Sequence, residues 1–476
     1  MPVVITLLAV GALVWGLVCV RWLPPLALAA AAVVVGYVFG HAFWNADVGP
    51  LPLTLDRLLL AGTAAAFAIR WRTGGLASSP WAPVDWALAL TLVWLTASFL
   101  MAGSGTLVVD EAPPLWRLLF SFWAPALLYL AARQSAITAR GSGWLLGALS
   151  LLGLYLAITA LAETAGAWSL VFPGYIADEE LGMHFGRARG PALNSVSLGV
   201  YLAVCFWATW LLLPKLRRMA RVVAFAALPL MAIAILLTYT RSTWLGLAAS
   251  GVAVLAAQTP PRLRWKAVGG VVAAAAVLGV VTWQSVLRLE REDSGGVSQH
   301  SVQQRTAFAY VSWQMFKDHP VAGVGFGRFF DKKLPYLSDR TQAFELESLR
   351  PLHHHNTFLS LLTETGLIGV AAYLAVLGGV CAAGWRLSQS EPAAAPVRRL
   401  GVLAVATVMV YLPSAVFHDL SLVSTDQWLV FLVAGVAVGC ERRVAASLSP
   451  PQPLRAASPR DPQSRAPAGG FAYPTG

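Results

Sequence analysis

The chain has 476 residues, 57% of them hydrophobic and only 12% charged, and its mean hydropathy is +0.65. Charge that scarce cannot cover a water-exposed surface of this size, which excludes an ordinary soluble enzyme. The formal charge of +11 invites a nucleic-acid reading, and the placement of the charges argues against it.

Apolar runs long enough to cross a bilayer fall at 3–20, 22–40, 52–69, 84–103, 115–132, 143–163, 192–213, 222–239, 242–258, 267–283, 357–385, 400–417 and 426–440. The first lacks a basic leader and a small-residue cleavage site, so it reads as a retained span and not a signal peptide. The connections alternate in charge. One set carries Arg70 and Arg72, Arg133 and Arg140, Lys215 to Arg221, Arg262 to Lys266, Arg386 to Arg399, and Arg442 with Arg443. The other is acidic or neutral, with Asp47, Asp110, Glu111, and Asp178 to Glu180. By the positive-inside rule the basic set is cytoplasmic, so the net charge reports topology and no nucleic-acid partner is expected. Cys19, Cys205, Cys381 and Cys440 all lie in apolar runs, which gives neither a disulfide framework nor a cysteine zinc site. The tail after residue 444 is rich in Pro, Ser, Ala and Arg and reads as a disordered cytoplasmic extension.

The expected architecture is an all-α polytopic integral membrane protein with about 12–13 transmembrane helices and one large extracytoplasmic loop. Residues 1–283 form helices with short loops, and 284–355 form a partly helical loop that caps an active site. Residues 356–443 return to the membrane, and 444–476 are the tail. Within the loop, "RTAFAYVSWQMFKDHP" places Phe308, Val311 and Met315 at helical spacing, one turn after Arg305. That helix should end near Asp318, before Pro320. "GVGFG" (323–327) lacks the strand and helix of a dinucleotide fingerprint and reads as a tight turn.

Polar residues gather at the extracytoplasmic ends. Arg241, in "LLTYTRSTWLGLAAS", interrupts two adjacent spans on the face that the charge rule keeps poor in arginine. It either snorkels to the interface or grips an anionic group, for which a guanidinium fork suits phosphate. Arg187 and Arg189, in "FGRARGPALNSVSLGVYL", precede a span on the same face. With Arg305 they make four cations suited to a phosphate or pyrophosphate at headgroup level. His353, His354 and His355 are consecutive, so neighbouring side chains diverge and a metal site is not expected. Asn356 fits a helix N-cap. One histidine beside the arginines could act as a general base, its pKa of about 6.5 lowered by neighbouring cations. Glu364 lies nine residues past His355 and is assigned to helix packing. His418 and Asp419 end a span on the same face, either as an interfacial turn or in support of the base.

"HNTFLSLLTETGLIG" resembles the signature opening the last helices of the O-antigen ligase and polymerase superfamily. "TYTRSTWLG" resembles that family's arginine-bearing segment, and "RTAFAYVSWQMFKDHPVAGVGFGRFF" its loop helix. "GRARGPALNSVSLGVYL" is a weaker match; the four run in order from Gly186 to Gly369. The triple histidine departs from the family's single one, so His354 stands as an alternative to His355. The resemblance implies a metal- and cofactor-independent inverting glycosyltransferase of a bacterial inner membrane. It would move a glycan from undecaprenyl pyrophosphate to an acceptor hydroxyl, such as lipid A-core, with its site facing the periplasm. Carried over by position, His355 is the base, Arg241 and Arg305 bind pyrophosphate, and Arg187 or Arg189 assists. Asn356, His354 and Asp419 support them. A polymerase or a protein glycosyltransferase would share this chemistry. A lipid-linked sugar transporter fits less well, because the polar residues gather at one face and no internal repeat is present.

Overall fold

The computed structural model describes residues 16, 18, 20–48, 51–77, 79–103, 113–288, 297–339 and 345–448. The first predicted span, the Asp110–Glu111 loop and most of the tail therefore lie outside the described residues. The helices, in chain order, are α1 (Pro25–Val38), α2 (Leu55–Arg72), α3 (Pro83–Ala102), α4 (Pro114–Arg133, with a π-helical turn at Leu119–Trp123) and α5 (Ala139–Thr164). Next come α6 (Ser195–Leu212), α7 (Arg218–Leu237), α8 (Arg241–Gln258), α9 (Pro261–Arg288) and α10 (Val297–Asp318). The last three are α11 (Thr357–Gln389), α12 (Ala395–Phe417) and α13 (Ser424–Leu448). A two-stranded antiparallel hairpin, Asn45–Val48 against Leu51–Thr54, precedes α2.

Among the described residues, seven helices (α3 to α7, α11 and α12) are long and apolar enough to cross a membrane. The chain is an all-α multi-pass membrane protein. The predicted runs at 52–69, 242–258 and 426–440 also fold as helices but fall short of that apolarity, 267–283 lies in α9, and 22–40 yields only the 14-residue α1. The reason is visible in α13. It carries Asp426, Gln427 and Glu441, and from Asp426 to Glu441 every residue is buried in protein. A helix walled by other helices does not need the uniform apolar surface that lipid demands.

Packing is tight where side chains are absent. On α13, Gly435 and Gly439 lie against the carbonyls of Tyr129 and Arg133 on α4, where a Cβ would stand 2.3 Å from each oxygen. This four-residue spacing of small residues lets two backbones meet. Arg133, placed in the cytoplasmic basic set, is buried and paired with Asp85 of α3 at 2.7 Å. The same carboxylate accepts a 2.7 Å hydrogen bond from the Tyr129 hydroxyl.

The loop between α9 and α11 has its own core. Phe308, Val311 and Met315 of α10 are buried together with Phe329, Leu337, Leu346 and Leu349. Each such side chain contributes roughly 1.5–3 kcal/mol on burial. The loop is riveted to α11 at Gly366, whose φ of +66° breaks that helix. There Val324 N–H donates to Thr363 O and Gly325 N–H to Glu364 O, both at 2.9 Å, while Leu367 N–H donates to Pro320 O at 2.9 Å. The "GVGFG" turn is thus the tight turn expected, with φ positive at Gly323, Gly325 and Gly327.

Candidate active site

Five helix ends meet under this loop: the starts of α6, α8 and α11 and the finishes of α7 and α12. Ala188 N–H donates to Leu237 O at 3.2 Å, which ties the segment carrying Arg187 to the end of α7. Thr357 at the start of α11 donates to His418 O at 3.1 Å and accepts from Leu420 N–H at 2.9 Å, which ties α11 to the turn after α12. Asn356 caps α11, its side chain accepting from Phe358 N–H at 2.9 Å and Leu359 N–H at 3.0 Å, the role its position suggests.

His355 is the exposed member of the triplet, its ring edge-on to Phe308 with centroids 5.1 Å apart. The desolvation there and the charge of Arg305 lower its pKa, while Asp419 acts the other way. Arg305 in turn is lowered by desolvation and by Arg241. It stands 5.7 Å from the Phe417 ring centroid. His418 is pushed down to about 3 by burial and by Arg305, His355, His184 and Arg187. These couplings describe one cluster: Arg187, Arg241, Arg305, His355, His418 and Asp419, with His184 beside them. Arg241 opens α8, so its charge adds to the positive end of that helix's dipole. Such an arrangement suits an anion with several oxygens. Backbone strain gathers here too, since His184 and Tyr239 have φ of +67° and +49°.

Other predicted residues fall elsewhere. Arg189 is fully buried and lies outside this cluster; its guanidinium pairs with Glu163 at 3.7 Å and donates to the carbonyls of Leu181, Ile176 and Asp178. Its donors are engaged in holding its own loop. His354 is also buried, with Nε2 2.9 Å from the Thr363 hydroxyl and its ring 3.5 Å from the Phe329 centroid. Burial and nearby cations hold it well below the ordinary histidine range. His353 turns a third way, toward Phe330. Lys333, completely buried, donates to Leu349 O at 2.8 Å and to Leu352 O, fixing the approach to the histidines.

A buried group beneath the cluster was not anticipated. Arg117 of α4 pairs with Glu364 at 2.7 Å and lies 3.5 Å from Asp419. It also donates to Ser360 at 2.7 Å and Ser421 at 2.9 Å. Its signal was legible as a lone charge inside the apolar run 115–132. Glu364, assigned to helix packing, is buried and carries this ion pair as well.

Residues 226–374, which hold Arg241, Arg305 and all three histidines, match a protein-family model described as O-antigen ligase. This stretch is similar to the O-antigen ligase family. No curated protein matches the chain. The matched stretch runs from within α7 through α8 to α10 with the loop core, and it takes in the kinked first half of α11. Arg187, Arg117 and the His418–Asp419 turn come from outside it, so the cluster is completed by flanking segments.

Proposed function

We propose that this protein is a metal-independent, inverting glycosyltransferase that moves a glycan from undecaprenyl pyrophosphate to an acceptor hydroxyl, with lipid A-core as the acceptor. The observation that carries the reading is the coupled cluster of Arg187, Arg241, Arg305 and His355, drawn from four separate segments to one end of the bundle. The acceptor hydroxyl attacks the anomeric carbon while His355 takes its proton. The bond from that carbon to the pyrophosphate oxygen breaks, and the electron pair leaves on the carrier. Arg241, Arg305 and Arg187 neutralise the charge that develops there. Attack from the face opposite the leaving group inverts the anomeric centre.

The lowered pKa of His355 suits a base, which must be neutral at working pH. The basic residues Arg72, Lys215, Arg217 and Arg262 lie at the opposite helix ends, consistent with a bacterial inner membrane and a site facing the periplasm. Membrane lipids and the lipid-linked glycan are the partners in this reading.

The test is a gel profile of surface glycans in a strain lacking the gene, with wild-type or His355→Ala copies restored. A ligase leaves the lipid A-core band bare, rescued by wild type only. Core bearing single repeats with no ladder above it would identify a polymerase instead. An unchanged lipopolysaccharide with lost glycoproteins would point to a protein acceptor. Full rescue by His355→Ala would remove the base assignment.

A further inference from the structure

Arg117 is not needed to describe the transfer, yet its surroundings tie it to the base. Its guanidinium reaches three chain segments at once: Glu364 and Ser360 on α11, and Ser421 and Asp419 in the turn after α12. Asp419 is held on one oxygen, Oδ1, which accepts from Ser421 N–H at 3.0 Å and from the Ser421 hydroxyl at 2.6 Å. Its second oxygen, Oδ2, faces Arg117 at 3.5 Å. The same carboxylate acts on His355. The turn that carries Asp419 is bonded to Thr357, two residues past His355, through His418 O and Leu420 N–H, and Glu364 shares the cation that Asp419 faces. Burying two carboxylates around one arginine is costly unless the geometry is used.

We propose that Arg117 is a positioning residue for the transfer: with Glu364 it holds Asp419 beneath His355 and sets how much of that carboxylate's charge reaches the imidazole. The inference rests on His355 being the base. The charged and titratable groups around that imidazole are Arg305 from α10, His418 and Asp419 from the turn after α12, and His353 and His354 of its own segment. Removing Arg117 together with Glu364 leaves Asp419 uncompensated and free to turn to the imidazole, which favours the protonated ring. Removing the charge of Glu364 alone leaves Arg117 wholly to Asp419 and disfavours it. The two changes act in opposite directions, which a loss of packing does not.

The experiment is a pH titration of isotope-labelled histidine by NMR in the full-length protein in lipid nanodiscs, with the His355 signal assigned by its loss in His355→Gln. In Arg117→Met/Glu364→Met, an apolar replacement of the kind buried ion pairs often tolerate, the midpoint should move to higher pH by about half a unit or more. In Glu364→Gln it should move to lower pH. Midpoints unmoved in both folded proteins overturn the proposal and leave Arg117 as a structural tie. Where the double variant does not fold, Glu364→Gln decides alone, and an unmoved or raised midpoint overturns it. Transfer by the same preparations separates the two readings. An active His355→Ala protein would sink the base assignment, while the NMR shifts would still report on Arg117 and Asp419.

Discussion

Arg305 of α10 stands close enough to His355 for its charge to disfavour the imidazolium, although the residues of the loop core lie between them in the chain. Under the proposed mechanism His355 must be neutral, and this neighbour extends its working range on the acid side. Arg305→Gln removes the cation, so the pKa of His355 rises and the acid limb of the pH–rate profile moves to higher pH. Rates for the variant, read between about pH 5 and 8, should also fall roughly ten- to hundredfold through the lost anion contact. An acid limb that stays in place while the rate falls would show that Arg305 binds substrate without tuning the base.

Arg189 and Arg241 should fail differently. Arg189→Ala strips the buried Glu163 of its cation, leaving it only the backbone N–H groups of residues 189 and 190, and frees three carbonyls, a loss of roughly 3–5 kcal/mol that should appear as a lowered melting temperature and reduced protein level. Arg241 is exposed at the start of α8, so Arg241→Ala should melt like wild type and lose transfer. A stable but inactive Arg189 variant would move that residue into the binding site.

Gly366→Ala tests the rivet between loop and span. A Cβ there would lie 2.1 Å from Val321 O, in a backbone conformation of φ +66° that alanine rarely adopts. The expected loss is at least about 2 kcal/mol, with faster proteolysis of the 319–339 region. Wild-type melting and cleavage would show that the break in α11 tolerates a side chain.

Some of this was legible from residue order alone. The spacing of Phe308, Val311 and Met315 gave α10 and its buried face, and Pro320 gave its end at Asp318, because a hydrophobic period marks the face and a proline marks the stop. The convergence of Arg187, Arg241 and Arg305 near His355 followed from placing each at the same end of antiparallel helices. Arg117 was passed over because a hydropathy run averages one charge away, and its partners lie hundreds of residues along the chain. Arg187 and Arg189 could not be told apart. Two residues apart in an extended strand they would share a face. The left-handed His184 and Gly186, φ +67° and +85°, curl the segment so that one joins the cluster and the other is buried. Span limits were harder to read, since helices such as α13 are sheathed in protein and can carry carboxylates.

The break in α11 has a mechanical meaning. Because the loop's turn supplies the hydrogen bonds that the helix gives up at Gly366, cap and span move as one body. Swinging the cap upward like a hatch would tear backbone bonds at Thr363, Glu364 and Leu367 together. On the proposed function, the path of least resistance for a lipid-anchored donor is then sideways, between helix ends, and not through a lifted loop.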